Sequence, residues 1–412
     1  MKRIRYCFLA LTAMLVQFPG LFADISADVS GSLRNRFAVQ ADDGAVFINE
    51  QQLFLGLEAE TDSAYLYSAL SFRIQDSTVV SGDFKELYAG WYGDFFDFRA
   101  GLQKILWGKA DGVFITDVVS PLDLSSFLTA DIDDLRIGVS GAKFDLYQGA
   151  HKLEFVWIPV FTPSVMPQSG SIWTASPAFP VPLTMQAPSI PEASLENSEF
   201  FSRYSWLGSL LDVQVMGGWY WNDTPIATVA GKTVVPGVGL SSLTILPEYY
   251  RVGILGTAFS VPAGPVILRA ESAVSFNKRF PGTVLQLSSG WKEKNAVNYM
   301  IGADVSLLGA TLSVQWIQDI ILDYEDSISR EESLETVTGM VQRSFFRETL
   351  KTEIFGIYNI KSGDAMIKPS ITWYPGGGFE MSVGAWFFIG ESGQFGQYDE
   401  NDGFNARLAY YF

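Results

Sequence analysis

The amino-acid sequence predicts an all-β fold, a transmembrane antiparallel β-barrel of about 18 strands (16–18), with short turns at one end, long loops at the other and a third long loop folded inward. Three observations carry this reading. Apolar residues recur at every second position in segments of roughly ten to thirteen, and about 9 to 11 tilted residues cross a bilayer. The links between these segments alternate short and long, and the chain closes on an aromatic residue.

Composition excludes the main alternatives. The 412 residues are 48% hydrophobic and 18% charged, with 31 Phe, 17 Tyr, 11 Trp and 38 Gly, too apolar and aromatic for a disordered chain. Past the N-terminus no stretch reaches about 18 consecutive uncharged apolar residues, which disfavours membrane helices. Residues 1–23 read as a signal peptide: Lys2, Arg3 and Arg5, then an apolar run from Tyr6 to Phe18, then Leu21-Phe22-Ala23 before Asp24. The barrel is expected over 24–412. The sole cysteine, Cys7, falls in that leader and lacks a lipoprotein context, so no disulfide, thiol nucleophile or cysteine metal ligand is expected beyond it. Without the leader, 25 basic residues stand against 45 acidic ones, which argues against nucleic acid as a partner.

The strands are expected near 24–36, 50–60, 63–76, 83–93, 95–107, 136–146, 151–162, 197–207, 210–222, 248–261, 265–277, 296–308, 310–321, 338–349, 351–361, 364–374, 378–390 and 403–412. The last is the cleanest. Phe404, Ala406, Leu408, Tyr410 and Phe412 share one face, and Asn405, Arg407 and Ala409 the other. Val266, Leu268, Ala270, Val274 and Phe276 likewise oppose Arg269, Glu271 and Ser275, and Val213, Val215, Gly217, Trp219 and Trp221 alternate with Asp212, Gln214, Met216, Gly218 and Tyr220. Strands of soluble sandwiches are usually shorter, about 5 or 6 residues.

The short links are Thr61-Asp62, Gly93-Asp94, 147–150, Gly208-Ser209, 262–264, Gly309, Leu350 and 375–377. Between them lie 37–49, 77–82, 108–135, 163–196, 223–247, 278–295, 322–337 and 391–402, with Ser362-Gly363 the one short exception. Tight turns facing a periplasm and long loops facing outside give this parity, and an even strand count returns both ends of the barrel to the short-turn side. Leu408, Tyr410 and Phe412 at the C-terminus resemble the assembly signal of bacterial outer-membrane barrels. Outer-membrane lipid and the barrel assembly machinery are the partners this implies.

Barrels of this size enclose an aqueous channel, so what passes depends on inward side chains and on any loop inside. Segment 108–135 is the candidate. Many of its residues are apolar, which suits packing against an inner wall, and it carries Lys109 against Asp111, Asp117, Asp123, Asp131, Asp133 and Asp134. In the lumen it would constrict the pore and favour cations or basic groups locally. Arg34, Arg36, Arg99, Arg251, Arg269, Lys368 and Arg407 are placed on the polar phase of their strands as pore-lining basic residues. Facing those carboxylates they would set up a transverse field; paired along the wall, they would only stabilise it.

Trp107-Gly108, then Asp111, then Ser120-Pro121-Leu122-Asp123 resemble the alginate-export-like outer-membrane porins and their relatives. These are 18-stranded barrels that commonly carry a strand ending in Trp-Gly, an acidic loop residue and Asn-Pro-Leu-Asp. Ser120 departs from the usual Asn. The resemblance implies a porin in the bacterial outer membrane, monomeric or trimeric, for passive diffusion of small hydrophilic solutes, with an inward third loop. Alginate itself does not follow, because an exporter of that polyanion should have a strongly cationic lumen. A transporter of hydrophobic compounds is a rival, hinted at by Val113, Phe114, Ile115 and the Trp173 region, as is a structural or adhesive barrel built on long outer loops.

Segment 163–196 holds Pro163, Pro167, Pro177, Pro180, Pro182, Pro188 and Pro191, with Trp173 and Phe179 among them, and reads as a semi-rigid cover that could lid the outer mouth or present a contact surface. No catalysis is expected. His151, the only histidine, belongs to a short turn. Asp399 to Gly403 and Asp131 to Asp134 lack the full spacing of a calcium loop, so neither a metal nor a cofactor is assigned. Trp91, Tyr92, Trp206, Trp219, Trp221, Trp373, Tyr374, Trp386, Tyr410 and Phe412 fit interfacial girdles.

Overall fold

The computed structural model describes residues 25–75, 79–129, 134–174, 181–237, 239–282 and 288–412. The expected leader 1–23, Asp131, Asp133, Pro177, Phe179 and Pro180 lie outside them.

Eighteen strands form one closed antiparallel sheet: β1 (Ser26–Gln40), β2 (Val46–Glu60), β3 (Ala64–Gln75), β4 (Val79–Tyr92), β5 (Phe96–Gln103), β6 (Val139–Gln148), β7 (His151–Ile158), β9 (Glu199–Leu207), β10 (Asp212–Trp221), β13 (Arg251–Ala263), β14 (Val266–Pro281), β15 (Trp291–Leu307), β16 (Ala310–Ile321), β17 (Ser333–Phe345), β18 (Leu350–Asn359), β19 (Asp364–Gly376), β20 (Phe379–Ile389) and β21 (Gly403–Tyr411). Three further strands, β8 (Leu183–Met185), β11 (Ile226–Val235) and β12 (Gly239–Glu248), make a separate sheet from the outer loops. Each barrel strand pairs with its neighbours, and β1 meets both β2 and β21, with Ser32 opposite Tyr411 and Gln40 opposite Gly403. Closure leaves no row of unpaired backbone groups, the condition for a sheet to sit in hydrocarbon. Gly31 and Phe412 exchange both backbone hydrogen bonds (2.8 and 3.0 Å), and the Phe412 ring occupies the space where a Gly31 side chain would stand.

The burial pattern is that of a soluble protein turned inside out. Leu33 and Phe37 of β1, Leu255 of β13, Leu268 of β14, Val383 of β20 and Leu408 of β21 are exposed, whereas the alternate positions Ser32, Glu271, Gln315 and Thr338 are buried. An apolar outer phase and a polar inner phase are what lipid outside and water inside select. The predicted alternation of short and long links is present from β5 onward, with 360–363 short as expected. The first two outer links are short too, since β2 begins at Val46 after β1 ends at Gln40 and β4 begins at Val79 after β3 ends at Gln75. At the 308–309 turn Leu308 and Gly309 both have positive φ (54° and 75°), the geometry a two-residue hairpin needs and glycine adopts freely.

Several boundaries differ from expectation. The first outer link is only 41–45, because β1 runs on to Gln40 and β2 begins at Val46, pairing as a hairpin. The turn assigned to Leu350 alone spans 346–349, with Phe346, Arg347 and Glu348 all at positive φ (52°, 57° and 68°). The 223–247 link is the β11–β12 hairpin, which carries strand alternation without crossing a membrane.

One half of the lumen is filled. Inward residues Val156, Ile158, Phe201, Met216, Tyr220, Val252, Ile254, Met300 and Ile317 pack with Ile105, Trp107, Ile115 and Val119 of the β5–β6 connection. Each fully buried side chain of this size contributes about 1.5–3 kcal/mol, and together they fix the root of the connection against β7, β9, β10 and β13–β16.

Candidate functional site

The β5–β6 connection, residues 104–138, leaves the wall at Lys104. Ile105 N donates to Ser120 Oγ (2.8 Å) and Trp107 N to Asp117 Oδ1 (2.7 Å). Trp107 Nε1 donates to Glu154 Oε1 on β7 (2.6 Å), and the Arg203 guanidinium of β9 lies 4.9 Å from the Trp107 ring centroid. Farther on, Glu271 of β14 gathers three donors at 2.7 Å: Lys109 N on Oε2, Thr116 N and Thr116 Oγ1 on Oε1. Asp111 N donates to Gln315 Oε1 on β16 (3.1 Å), while Asp111 Oδ2 accepts from Gln315 Nε2 (2.6 Å) and Arg269 Nη2 (2.5 Å). Arg269 also donates to Lys109 O and to Asp304 Oδ1, each at 2.6 Å. Glu271, Gln315 and Arg269 stand on the inward phase, and β16 lies eight strands round from β5 in a ring of eighteen. The contacts of this segment therefore span almost a full diameter. At the tip Gly112 has φ +75°, and a Cβ there would lie 2.4 Å from Phe355 Cζ. Only glycine combines that backbone with that approach.

The return limb pairs with itself. Asp123 N donates to Leu135 O (2.7 Å) and Ile137 N to Pro121 O (2.9 Å), so Pro121 and Leu122 begin a short two-stranded clip closed by the Leu122–Arg136 bridge. Arg136 binds the Asp117 carboxylate and the Ser120 carbonyl, with its guanidinium 4.2 Å from the Phe114 ring centroid. Burial pushes the Asp117 carboxyl up from its ordinary value, and the Arg136 charge beside it opposes that rise. Ser120 serves twice, its hydroxyl holding Ile105 N and its carbonyl holding Arg136.

A cavity of about 530 Å³ lies between this segment and the wall of β1 and β17–β21. Asp111, Gly112, Phe114, Asp134 and Leu135 face it from the segment, and Arg34, Arg36, Lys351, Glu353, Lys368, Glu380 and Arg407 from the wall. Arg34 Nη1 meets Asp134 Oδ2 at 3.3 Å, Arg36 Nη1 meets Glu50 Oε1 at 3.4 Å, and Arg407 Nη2 meets Glu380 Oε1 at 2.5 Å. Carboxylates on the segment thus oppose a wall richer in cations.

The expected residues divide accordingly. Asp111, Asp134, Arg34, Arg36, Lys368 and Arg407 come together around the cavity. Asp117 does not: it is tied inside the segment by Trp107 N and Arg136. Asp123 Oδ1 accepts from Ser125 N (3.1 Å) and shapes a bend. Arg269 pins the segment to the wall, since Asp111, Asp304 and the Lys109 carbonyl take its donors. Arg99 lies low on β5, 5.3 Å from the Tyr88 ring centroid and away from the cavity. Arg251 departs from the expected inward phase. Its register partner Trp221 shares the outward row of Trp219, and its guanidinium grips Ser198 O and Glu196 O at the outer rim. At the last residue before an outer loop, alternation no longer separates lipid from water, because both phases are wet. Glu271, Gln315, Glu154 and Arg136 were not singled out from the sequence. Glu271 shares the inward phase of β14 with Arg269 two residues away, and that spacing was the available signal.

Outer loops roof the cavity. Trp173, buried, sits among Phe47, Trp386, Phe388 and Tyr398, with ring centroids 5.7 to 6.4 Å away. It stacks on Phe127 of the β5–β6 connection at 6.0 Å and 20°. Tyr398 Oη donates to Trp173 O (3.1 Å) and Asn401 Nδ2 to Ile172 O (2.7 Å). Asp402 Oδ1 holds Phe388 N (2.7 Å), so part of the 399–403 cluster latches loops to β20. His151 opens β7 after the 149–150 turn, its Nδ1 2.7 Å from Tyr204 Oη.

No family model matches the sequence, and none of the curated proteins compared with it does. Solved structures do match the fold. Pseudomonas aeruginosa OccK3 (OpdO) is similar over 94% of this chain and 96% of its own, with a TM-score of 0.56 at 10% identity. OccK8 (OprE) of the same organism covers 94% and 98% with a TM-score of 0.56 at 11% identity. OccK2 (OpdF), solved in complex with glucuronate, covers 94% and 98% with a TM-score of 0.55 at 10% identity. What this chain shares with them is the fold, a closed antiparallel barrel.

Proposed function

We propose that this protein is a porin of the bacterial outer membrane through which small hydrophilic solutes diffuse passively, without catalysis or a cofactor, along the cavity between the β5–β6 connection and the wall of β1 and β17–β21. The observation that carries the reading is that cavity's lining: Asp111 and Asp134 on one side, Arg34, Arg36, Lys368 and Arg407 on the other, inside a closed barrel. Opposed charges across a narrow water-filled gap orient a polar solute and reject an apolar one, which would displace water from those charges without replacing its hydrogen bonds. The connection is the constriction, narrowing the lumen from one side while the apolar half stays dry.

The stretch Trp107-Gly108 to Ser120-Pro121-Leu122-Asp123 supports kinship with the alginate-export-like porins in how this connection is built. The carboxylates on the segment argue against a long polyanion as cargo. Glucuronate, the ligand in the OccK2 structure, is a suitable first solute to try.

Reconstitution in planar bilayers tests the reading. An ionic current is expected, and deletion of residues 111–129 should raise the conductance severalfold. Absence of current both before and after the deletion would refute it.

A further inference from the structure

We infer that Trp173 is the latch of an aromatic lid over the outer mouth of the cavity, and that solute entry from outside requires this ring to leave its seat. The inference rests on the channel reading above.

The cavity has a charged lower part and an apolar upper end. Its upper wall is Ala38, Ile48, Ile357, Met366 and Trp386, each near the outer end of its strand. Directly on these residues sits the packed group formed by Trp173, Phe395, Tyr398 and Phe127. No one loop makes this roof. Trp173 comes from the β7–β9 connection, Phe395 and Tyr398 from the β20–β21 connection, and Phe127 from the β5–β6 connection.

Trp173 and Phe127 tie these parts together, Phe127 also packing on Phe388, Phe395 and Tyr398. Trp173 contacts Phe127, Phe47, Trp386, Phe388 and Tyr398, and its carbonyl accepts from Tyr398 Oη. Phe127 meets it from a left-handed backbone, φ +50°, a conformation that costs a non-glycine residue energy and persists only when its surroundings hold it. The strands beneath are held by backbone ladders, whereas Trp173 is attached to them by ring packing, its carbonyl and that of Ile172 being bonded to Tyr398 and Asn401 of the β20–β21 connection. Opening of the ring therefore breaks side-chain contacts between loops and leaves the ladders intact. A ring buried at the top of a hydrophilic path also bars the path while it stays there.

The test compares the unaltered protein with Trp173→Ala in planar bilayers, after heat-modifiability on gels has shown that both barrels are folded. Truncating a buried ring of this size should shift the closed-to-open ratio by on the order of a hundredfold, seen as loss of long closures and a higher mean current. A second variant, Cys7→Ser/Ile172→Cys/Asn401→Cys, joins lid to rim with a short bis-maleimide, because Ile172 and Asn401 are already hydrogen-bonded. The bridged protein should conduct far less than the same variant left unbridged. Equal currents for Trp173→Ala and the unaltered protein, or for bridged and unbridged forms, would overturn the lid while leaving the channel standing. If none of them conducts, the channel reading falls and the lid with it.

Discussion

Replacing Glu271 with alanine removes the acceptor for three donors of the β5–β6 connection, Lys109 N, Thr116 N and Thr116 Oγ1, each 2.7 Å from a carboxylate oxygen. Hydrogen bonds to a charged partner contribute about 1.5–3 kcal/mol each, and a buried donor left without one costs a comparable amount. Three such bonds on one side chain are not additive, and water entering the lumen recovers part of the loss. About 3 kcal/mol is a reasonable net figure, which is roughly a hundredfold in the equilibrium for local opening. Glu271→Gln keeps an acceptor oxygen but loses the charge and gains an unwanted donor, so it should fall between the two. Hydrogen exchange in detergent micelles reads this directly: amides of 107–118 should exchange roughly a hundredfold faster in Glu271→Ala, while those of β14 keep their protection. If exchange in 107–118 stays within about threefold of the unaltered protein, Glu271 does not hold the segment and the anchoring scheme is wrong.

Gly112→Ala places a Cβ 2.4 Å from Phe355 Cζ at φ +75°, so the tip should withdraw from β18 at a cost of about 1–3 kcal/mol; enlarged conductance with unchanged barrel melting checks it. Glu325, in the outer link 322–332, is held down to about 2 by hydrogen bonds from Lys292 and Lys294. A depressed carboxylate stabilises the link above its unfolded value near 4.3 and loses that support as pH falls toward 2, so protease nicking of this link should rise over that window and Glu325→Gln should flatten the dependence. Phe412→Ala removes the ring that covers Gly31 at the β1–β21 seam, and should lower the yield of heat-modifiable barrel in assembly assays without shifting the conductance of the molecules that do fold.

The wall was legible because lipid imposes a strict period of two over a long run, and Leu408, Tyr410 and Phe412 or Leu268 and Phe276 cannot satisfy it by accident. All eighteen strands follow from that constraint. The lumen was less legible, for two physical reasons. Where the inner phase is also apolar, as at Met216 and Tyr220 on β10 or Val252 and Ile254 on β13, alternation fades and nothing in the sequence says that half the interior is dry. And the partners that fix the segment are remote in the chain: Asp111 meets Arg269 across 158 residues and Gln315 across 204. A list of inward charges could therefore name Asp111 and Arg269 without revealing that they bind each other, and it counted Arg269 as lining when its donors are used in anchoring.

The two ends of the β5–β6 connection are held by forces of different kinds, and this shapes what the segment can do. Its root lies in a cluster around Ile105, Trp107, Ile115 and Val119, where the Trp107–Glu154 and Asp117–Arg136 contacts are buried and so shielded from entering ions. Its tip reaches the cavity at Asp111, whose carboxylate is tied to Arg269 and Gln315, and a charge-assisted bond at the edge of a wet cavity weakens as ions enter. Screening lengths fall from about 8 Å at physiological salt to about 3 Å at 1 M, comparable with the reach of these contacts. The segment is thus a tethered flap, fixed at the base and adjustable at the edge. The edge is also the part that Asp111 presents to the cationic wall, so the residue that sets the width of the path is the one whose tie is most responsive to what flows through it.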